Sequence, residues 1–228
     1  MKQLLVLTVF LVFSVFVYSQ TPRGRVQIQN GTLVTDQGTL LRGCYISTDG
    51  NWPMTPVKEN IKSIKDFGLN TIHLYAENSC CQFPGEKEAD IDSIVKWTEN
   101  ESLYLILTVG WWGGPGLDWI SAFWKKYATK YKDKTHVIFE ISNEPFEWSA
   151  PYDSATLAME KSMYDTIRFY APETHIQFMS YALNSNIDSA IADIKSLGPG
   201  INWDNASIAV HGYVHSSETN RVFMKTLQ

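Results

Sequence analysis

From residue 41 onward the apolar residues gather into six short runs: LRGCYIS at 41–47, TIHLYAE at 71–77, YLILTVG at 104–110, HVIFEIS at 136–142, IQFMSYA at 176–182 and SIAVHGY at 207–213. Runs this apolar on both alternating faces are expected of strands in a parallel sheet covered by helices. Between them the period lengthens. Ile61, Ile64 and Phe67 mark one predicted helical stripe and Ile91, Ile94 and Val95 a second, while Phe123, Trp124, Tyr127, Ala128 and Tyr131 mark a third. Met159, Met163, Ile167 and Tyr170 give a fourth, and Ile187, Ala190, Ile191, Ile194 and Leu197 a fifth that Gly198-Pro199 stops. Upstream, RVQIQNGTLVTDQGTLLRG alternates apolar and polar residues around Asn30-Gly31 and Gln37-Gly38, which is hairpin chemistry.

Strict βα alternation leaves two architectures, a doubly wound open sheet or a (β/α)8 barrel. A repeat of about 30 to 40 residues would bring eight units to on the order of 250 residues, the usual barrel size. Six units are present, and no glycine-rich phosphate loop opens a helix, so a nucleotide site of the open-sheet type has no support. The expected fold is α/β: an incomplete (β/α)8 TIM barrel of about six units with an N-terminal β-hairpin, spanning residues 20–228. An open sheet that never closes is the alternative.

The first nineteen residues differ from the rest. Lys2 gives a positive start, Leu4 to Val17 is uncharged and mostly apolar, and Val17-Tyr18-Ser19 ends with small residues at alternate positions. That is the pattern of a secretory signal peptide, and the run is shorter than the roughly 20 residues a spanning helix needs. The expected location is secreted, extracellular or periplasmic, with no membrane partner after cleavage. The 228 residues are 44% hydrophobic with a net charge of −5, and lysine and arginine are scattered without forming a stripe. Nucleic acid is therefore not an expected partner. Cys44, Cys80 and Cys81 are odd in number and show no metal-ligand spacing, and Asn30, Asn100 and Asn205 begin N-x-S/T sequons.

In either architecture the functional residues sit at the C-terminal ends of the strands. Those ends carry Tyr75 and Glu77, Trp111 and Trp112, Asn143 and Glu144, Tyr181, and His211 and Tyr213. Flat rings stack on the apolar faces of sugars, while Asn, His and Tyr exchange hydrogen bonds with hydroxyls, so a neutral polysaccharide or oligosaccharide is the expected partner. Tyr75 and Trp112 are candidate substrate-binding aromatics. Hydrolysis of a glycosidic bond needs two carboxyl groups, one to protonate the leaving oxygen and one to attack the anomeric carbon or activate water. Glu144, in EISNEP, is the candidate for the first.

The succession from LRG, through FWKKYATKYKDKTHVIFEISNEP, to VHGYVH resembles a secreted family 5 glycoside hydrolase of the clan A barrels, the group of cellulases and mannanases. The resemblance implies a retaining mechanism in which Glu144 is the general acid/base and Asn143 bonds the sugar 2-hydroxyl. It also implies that His211 shapes the site and Tyr213 contacts the nucleophile. This chain departs from the family pattern at His73, where the family has arginine, and at Gly110, where it has histidine. The nucleophilic glutamate of the family lies on a seventh strand, so it is expected beyond Gln228. Glu77 and Glu218 are the other carboxylates at the right end. A non-catalytic carbohydrate-binding protein is the alternative function. No cofactor is expected, nor a metal, since His211 and His215 lack a third ligand at a recognisable spacing.

Overall fold

The computed structural model describes residues 23–46, 56–77, 85–110, 117–143, 154–180 and 187–210. Its first element is the expected hairpin: β1 (Gln27–Gln29) runs antiparallel to β2 (Thr32–Val34). Asn30 at φ 52° and Gly31 at φ 76° form the turn. Both sit in the left-handed region that a tight two-residue hairpin loop requires, which is why the sequence places Asn-Gly there.

Six parallel strands follow in one sheet: β3 (Gly43–Ile46), β4 (Thr71–Ala76), β5 (Tyr104–Gly110), β6 (Val137–Asn143), β7 (Ile176–Ser180) and β8 (Ala206–Val210). Helices α1 (Lys58–Asp66), α2 (Glu88–Asn100), α3 (Leu117–Tyr131), α4 (Ser154–Tyr170) and α5 (Ile187–Lys195) alternate with them. Spatial order equals chain order from β3 to β8. A doubly wound sheet reverses its order at a switch point. This sheet never does, so it is the wall of a barrel, and among the described residues no pairing closes it. β3 approaches β4 so closely that a Cβ at Gly43 would lie 2.1 Å from the Thr71 carbonyl oxygen.

The outer face of the sheet is the core. Ile72, Leu74, Leu105, Leu107, Phe139 and Phe178 pack against Ile61, Ile64, Ile91, Trp124, Met163 and Ile194 of the helix layer. Each such side chain contributes roughly 1.5–3 kcal/mol when taken out of water. Two helical stripes differ from the sequence reading. Phe67 is 76% exposed, because α1 has ended and Gly68 at φ 79° turns the chain away. On α4 the buried stripe is Glu160, Met163, Tyr164 and Ile167, and Met159 is only half-buried. The helix is rotated so that a carboxyl, not Met159, faces inward.

The inner face is closed at its N-terminal end. Val26, Tyr104 and Ile138 form a second apolar cluster with Leu33, Leu41 and Ile106, which seats the hairpin region under the sheet. The Tyr104 hydroxyl accepts from the Asp36 amide at 2.9 Å and donates to the Gly24 carbonyl at 2.9 Å. Burial pushes its pKa up to about 12. No helix among the described residues is long and apolar enough to cross a membrane.

Candidate active site

The inner face is polar where the outer face is apolar. Tyr45, His73, Tyr75, Ile106, Glu140 and Gln177 line a cavity of about 500 Å³. Strand alternation puts them there: each is two positions from an inner neighbour on its own strand or in register with one on the next. Tyr75, the candidate aromatic on β4, packs its ring 4.8 Å from Tyr45 and 5.3 Å from His73, the latter edge-on.

Glu140 is the charged group at the centre of this face, with a side chain only 3% exposed. A buried carboxylate is costly unless it is hydrogen-bonded or paired. His73 Nε2 meets its Oε1 at 3.1 Å, reaching from β4 across the intervening β5. The sequence comparison singled out His73 as a departure but gave no sign of its partner. The available signal was Glu140 itself, a lone charge inside HVIFEIS at a position that alternation places on the inner face.

Beyond Glu140 the strand changes register. Leu105 pairs with Val137 and Thr108 with Glu140, but Gly110 pairs with Asn143, one residue later than regular pairing would have it. β6 thus carries a bulge, a device that re-aims side chains beside functional sites. Simple alternation from Glu140 would turn residue 143 to the outer face. The bulge instead sets Asn143 beside Gly110, in line with Ile106 and Thr108. Asn143 Oδ1 is buried and, among the described residues, has no hydrogen-bond partner, and the same is true of Ser142 Oγ. From the outside Trp124 Nε1 donates to the Ile141 carbonyl at 2.8 Å, satisfying a backbone acceptor within the irregular segment.

The other sequence candidates divide. Glu144, Trp112, His211 and Tyr213, with Trp111, Tyr181 and Glu218, lie outside the described residues. Glu77 is at the correct end, but its carboxylate bonds Lys126 of α3 at 2.7 Å and is committed to a surface network that includes Glu88. Hydrogen bonds from Lys126 and Lys130 hold the Glu88 carboxyl down to about 2. Trp124 and Tyr127 are core, as expected.

The sequence reading also missed Glu160, His136 and His175, whose charged forms burial disfavours. Glu160 has neither carboxylate oxygen partnered among the described residues, and burial pushes its pKa up to about 8. Burial lowers His136 to about 4 and His175 to about 3. Both histidines sit at the N-terminal ends of their strands, where His136 Nε2 donates to the Val95 carbonyl at 3.1 Å. No group of three His, Cys, Asp or Glu among the described residues could hold a metal ion. A larger groove of about 740 Å³ lies outside the sheet between α3 and α4, but its Lys161 and Asp165 are paired to each other at 2.6 Å.

A parallel sheet wound in one direction, plugged at its N-terminal end and polar on its inner face toward the other, defines a barrel-type α/β enzyme scaffold. Residues 34–227 match the family described as Cellulase (glycosyl hydrolase family 5). The chain belongs to glycosyl hydrolase family 5, a family of glycosidases. Among solved structures it is similar to the cellulase Cel5C_n, at 18% identity and a TM-score of 0.64, with 89% of this chain and 67% of that one covered. It is also similar to the catalytic domain of the Thermobifida fusca endoglucanase Cel5A (18%, TM-score 0.60, 89% and 70% covered). A third is the Thermomonospora fusca β-mannanase solved with mannohexaose (17%, TM-score 0.61, 89% and 73% covered). No curated protein matches the chain. At these identities the structural likeness establishes the fold.

Proposed function

We propose that the chain is a secreted retaining β-glycosidase that hydrolyses a β-linked polysaccharide of the cellulose or mannan type. The observation that carries this reading is the register shift of β6, which pairs Asn143 with Gly110 and leaves its Oδ1 buried and, among the described residues, without a hydrogen-bond partner, directly before Glu144 in the chain. A sugar hydroxyl is the donor such an acceptor lacks. Glu144, as a carboxylic acid, protonates the glycosidic oxygen as the bond to the anomeric carbon breaks. A second carboxylate attacks that carbon, and water then displaces it with Glu144 acting as base. Within the described residues Glu140 is committed to His73 and Glu77 to Lys126. In this reading the second carboxylate comes from outside the described residues, as the family resemblance implies. His211, Tyr213 and Trp112 are the further substrate contacts in this reading, and residues 1–19 direct export.

The mannanase solved with mannohexaose and the Thermobifida fusca endoglucanase solved with cellotetraose support manno- or cello-oligosaccharides as ligands. Incubation of the secreted protein with each polymer, followed by assay of reducing ends, tests the proposal. Reducing ends released from either polymer, unaffected by a chelator, are expected. Saturable glycan binding with no release would instead make it a binding protein.

A further inference from the structure

We infer that His73 and Glu140 are a positioning pair for the sugar site: their bond fixes where β6 breaks register and so sets where Asn143 meets substrate. The inference rests on the reading of Asn143 and Glu144 given above. Glu140 with Thr108 is the last partnership in regular register, and Asn143 with Gly110 is the first after the shift. A bulge that moved by one residue would reverse the faces of the side chains it passed. Position 140 would then turn from the inner face into the apolar outer core beside the helix layer.

The bond from His73, 3.1 Å long, makes that displacement costly. It spans the width of β5, so it also ties β6 to the second parallel strand and fixes the curvature of the sheet at this level. The cavity walls beside the pair, Tyr45, Tyr75 and Gln177, carry no charge at neutral pH. The partner of Glu140 on this wall is therefore His73, at the position where the family pattern has arginine. Neither residue needs to touch substrate. Their effect on the reaction passes through Asn143 and the residue that follows it.

The test is steady-state hydrolysis of a cello- or manno-oligosaccharide by the full-length protein. His73→Leu and Glu140→Met should each lower kcat by about tenfold to a hundredfold, the scale of an ångström-level misplacement, while KM changes by less than about threefold. His73→Gln, which keeps a donor near Nε2, should recover most of the lost kcat. The double variant His73→Leu/Glu140→Met should be no slower than either single one, because both remove the same bond. If a single variant fails to fold around an unpaired buried group, the double variant, which buries none, decides. A double variant with wild-type kcat overturns the inference, as does a full additive loss. Wild-type protein that releases no product overturns the functional reading and this inference together.

Discussion

Glu140 on β6 and Glu160 on α4 are 2% and 0% exposed, and the two sides of the sheet treat them differently. Glu140 lies on the inner face and meets His73. Glu160 lies in the helix layer, with neither oxygen partnered among the described residues, and burial alone raises its pKa to about 8. The inner face thus supplies Glu140 a polar partner, and at the end of the same strand Asn143 Oδ1 is buried with no hydrogen-bond partner among the described residues. Among the described residues the helix layer offers Glu160 no such partner, so its carboxyl keeps its proton well above the usual range. Apolar packing is concentrated on the outer side of the strands and polar side chains on the inner side.

The largest effect on the outer side is expected at Trp124, where the two sides touch. Its ring packs against Phe123 and Phe139, and its Nε1 holds the Ile141 carbonyl. Trp124→Ala should cost roughly 3–5 kcal/mol in denaturant unfolding, the range for a large buried aromatic. Trp124→Phe should keep most of that stability and still slow turnover, since the bulge loses its outer brace. Unchanged turnover in Trp124→Phe would separate the core from the site altogether.

Glu160 gives the next effect, and its sign follows from linkage. Below pH 4.5 both folded and unfolded chains hold the proton and the group is neutral to stability. As pH rises toward 8 the unfolded chain ionises while the folded one keeps its proton, so stability falls across that window. Glu160→Gln should remove this decline, by on the order of 5 kcal/mol at the alkaline end. Melting temperatures measured from pH 5 to 9 check it, and parallel curves for the two proteins would refute it. His136 and His175 act in the opposite direction. Their folded pKa values of about 4 and about 3 lie below 6.5, so stability is lost as pH falls from 6.5 toward those values. That acid limb should survive in Glu160→Gln.

The smallest effect belongs to Phe67. It is apolar in sequence and exposed in the fold, so Phe67→Ser should change stability by no more than about 0.5 kcal/mol. A loss of 2 kcal/mol would mean that something covers this ring.

These contrasts also explain how much could be read from the chain alone. The six parallel strands fall within a few residues of the six apolar runs, because a strand buried on both faces needs continuous apolar sequence. The hairpin was legible from Asn30-Gly31 for an equally local reason. The sequential strand order, which separates a barrel wall from a doubly wound sheet, was not, since it depends on pairing between distant segments. Phe67 and Met159 were misplaced because a stripe read at helical spacing does not fix where a helix ends or how far it is rotated. Asn143 was a candidate by its motif, but the register shift beside it was invisible, because a bulge adds a residue without any compositional mark. Glu140 was legible in principle as a charge within an apolar run, but its link to His73, 67 residues away, was not.

The central claim is that the end of β6 presents Asn143 and then Glu144 to a glycosidic bond, with Glu144 supplying the proton. Turnover of Glu144→Gln on two substrates, one with a natural sugar leaving group and one with an activated aryl leaving group, tests this most directly. A leaving group that departs without protonation does not need the acid. The account predicts a loss of about a thousandfold or more on the natural substrate and a much smaller loss in glycosyl transfer from the activated one. Equal losses on both, or wild-type rates on the natural substrate, would contradict it.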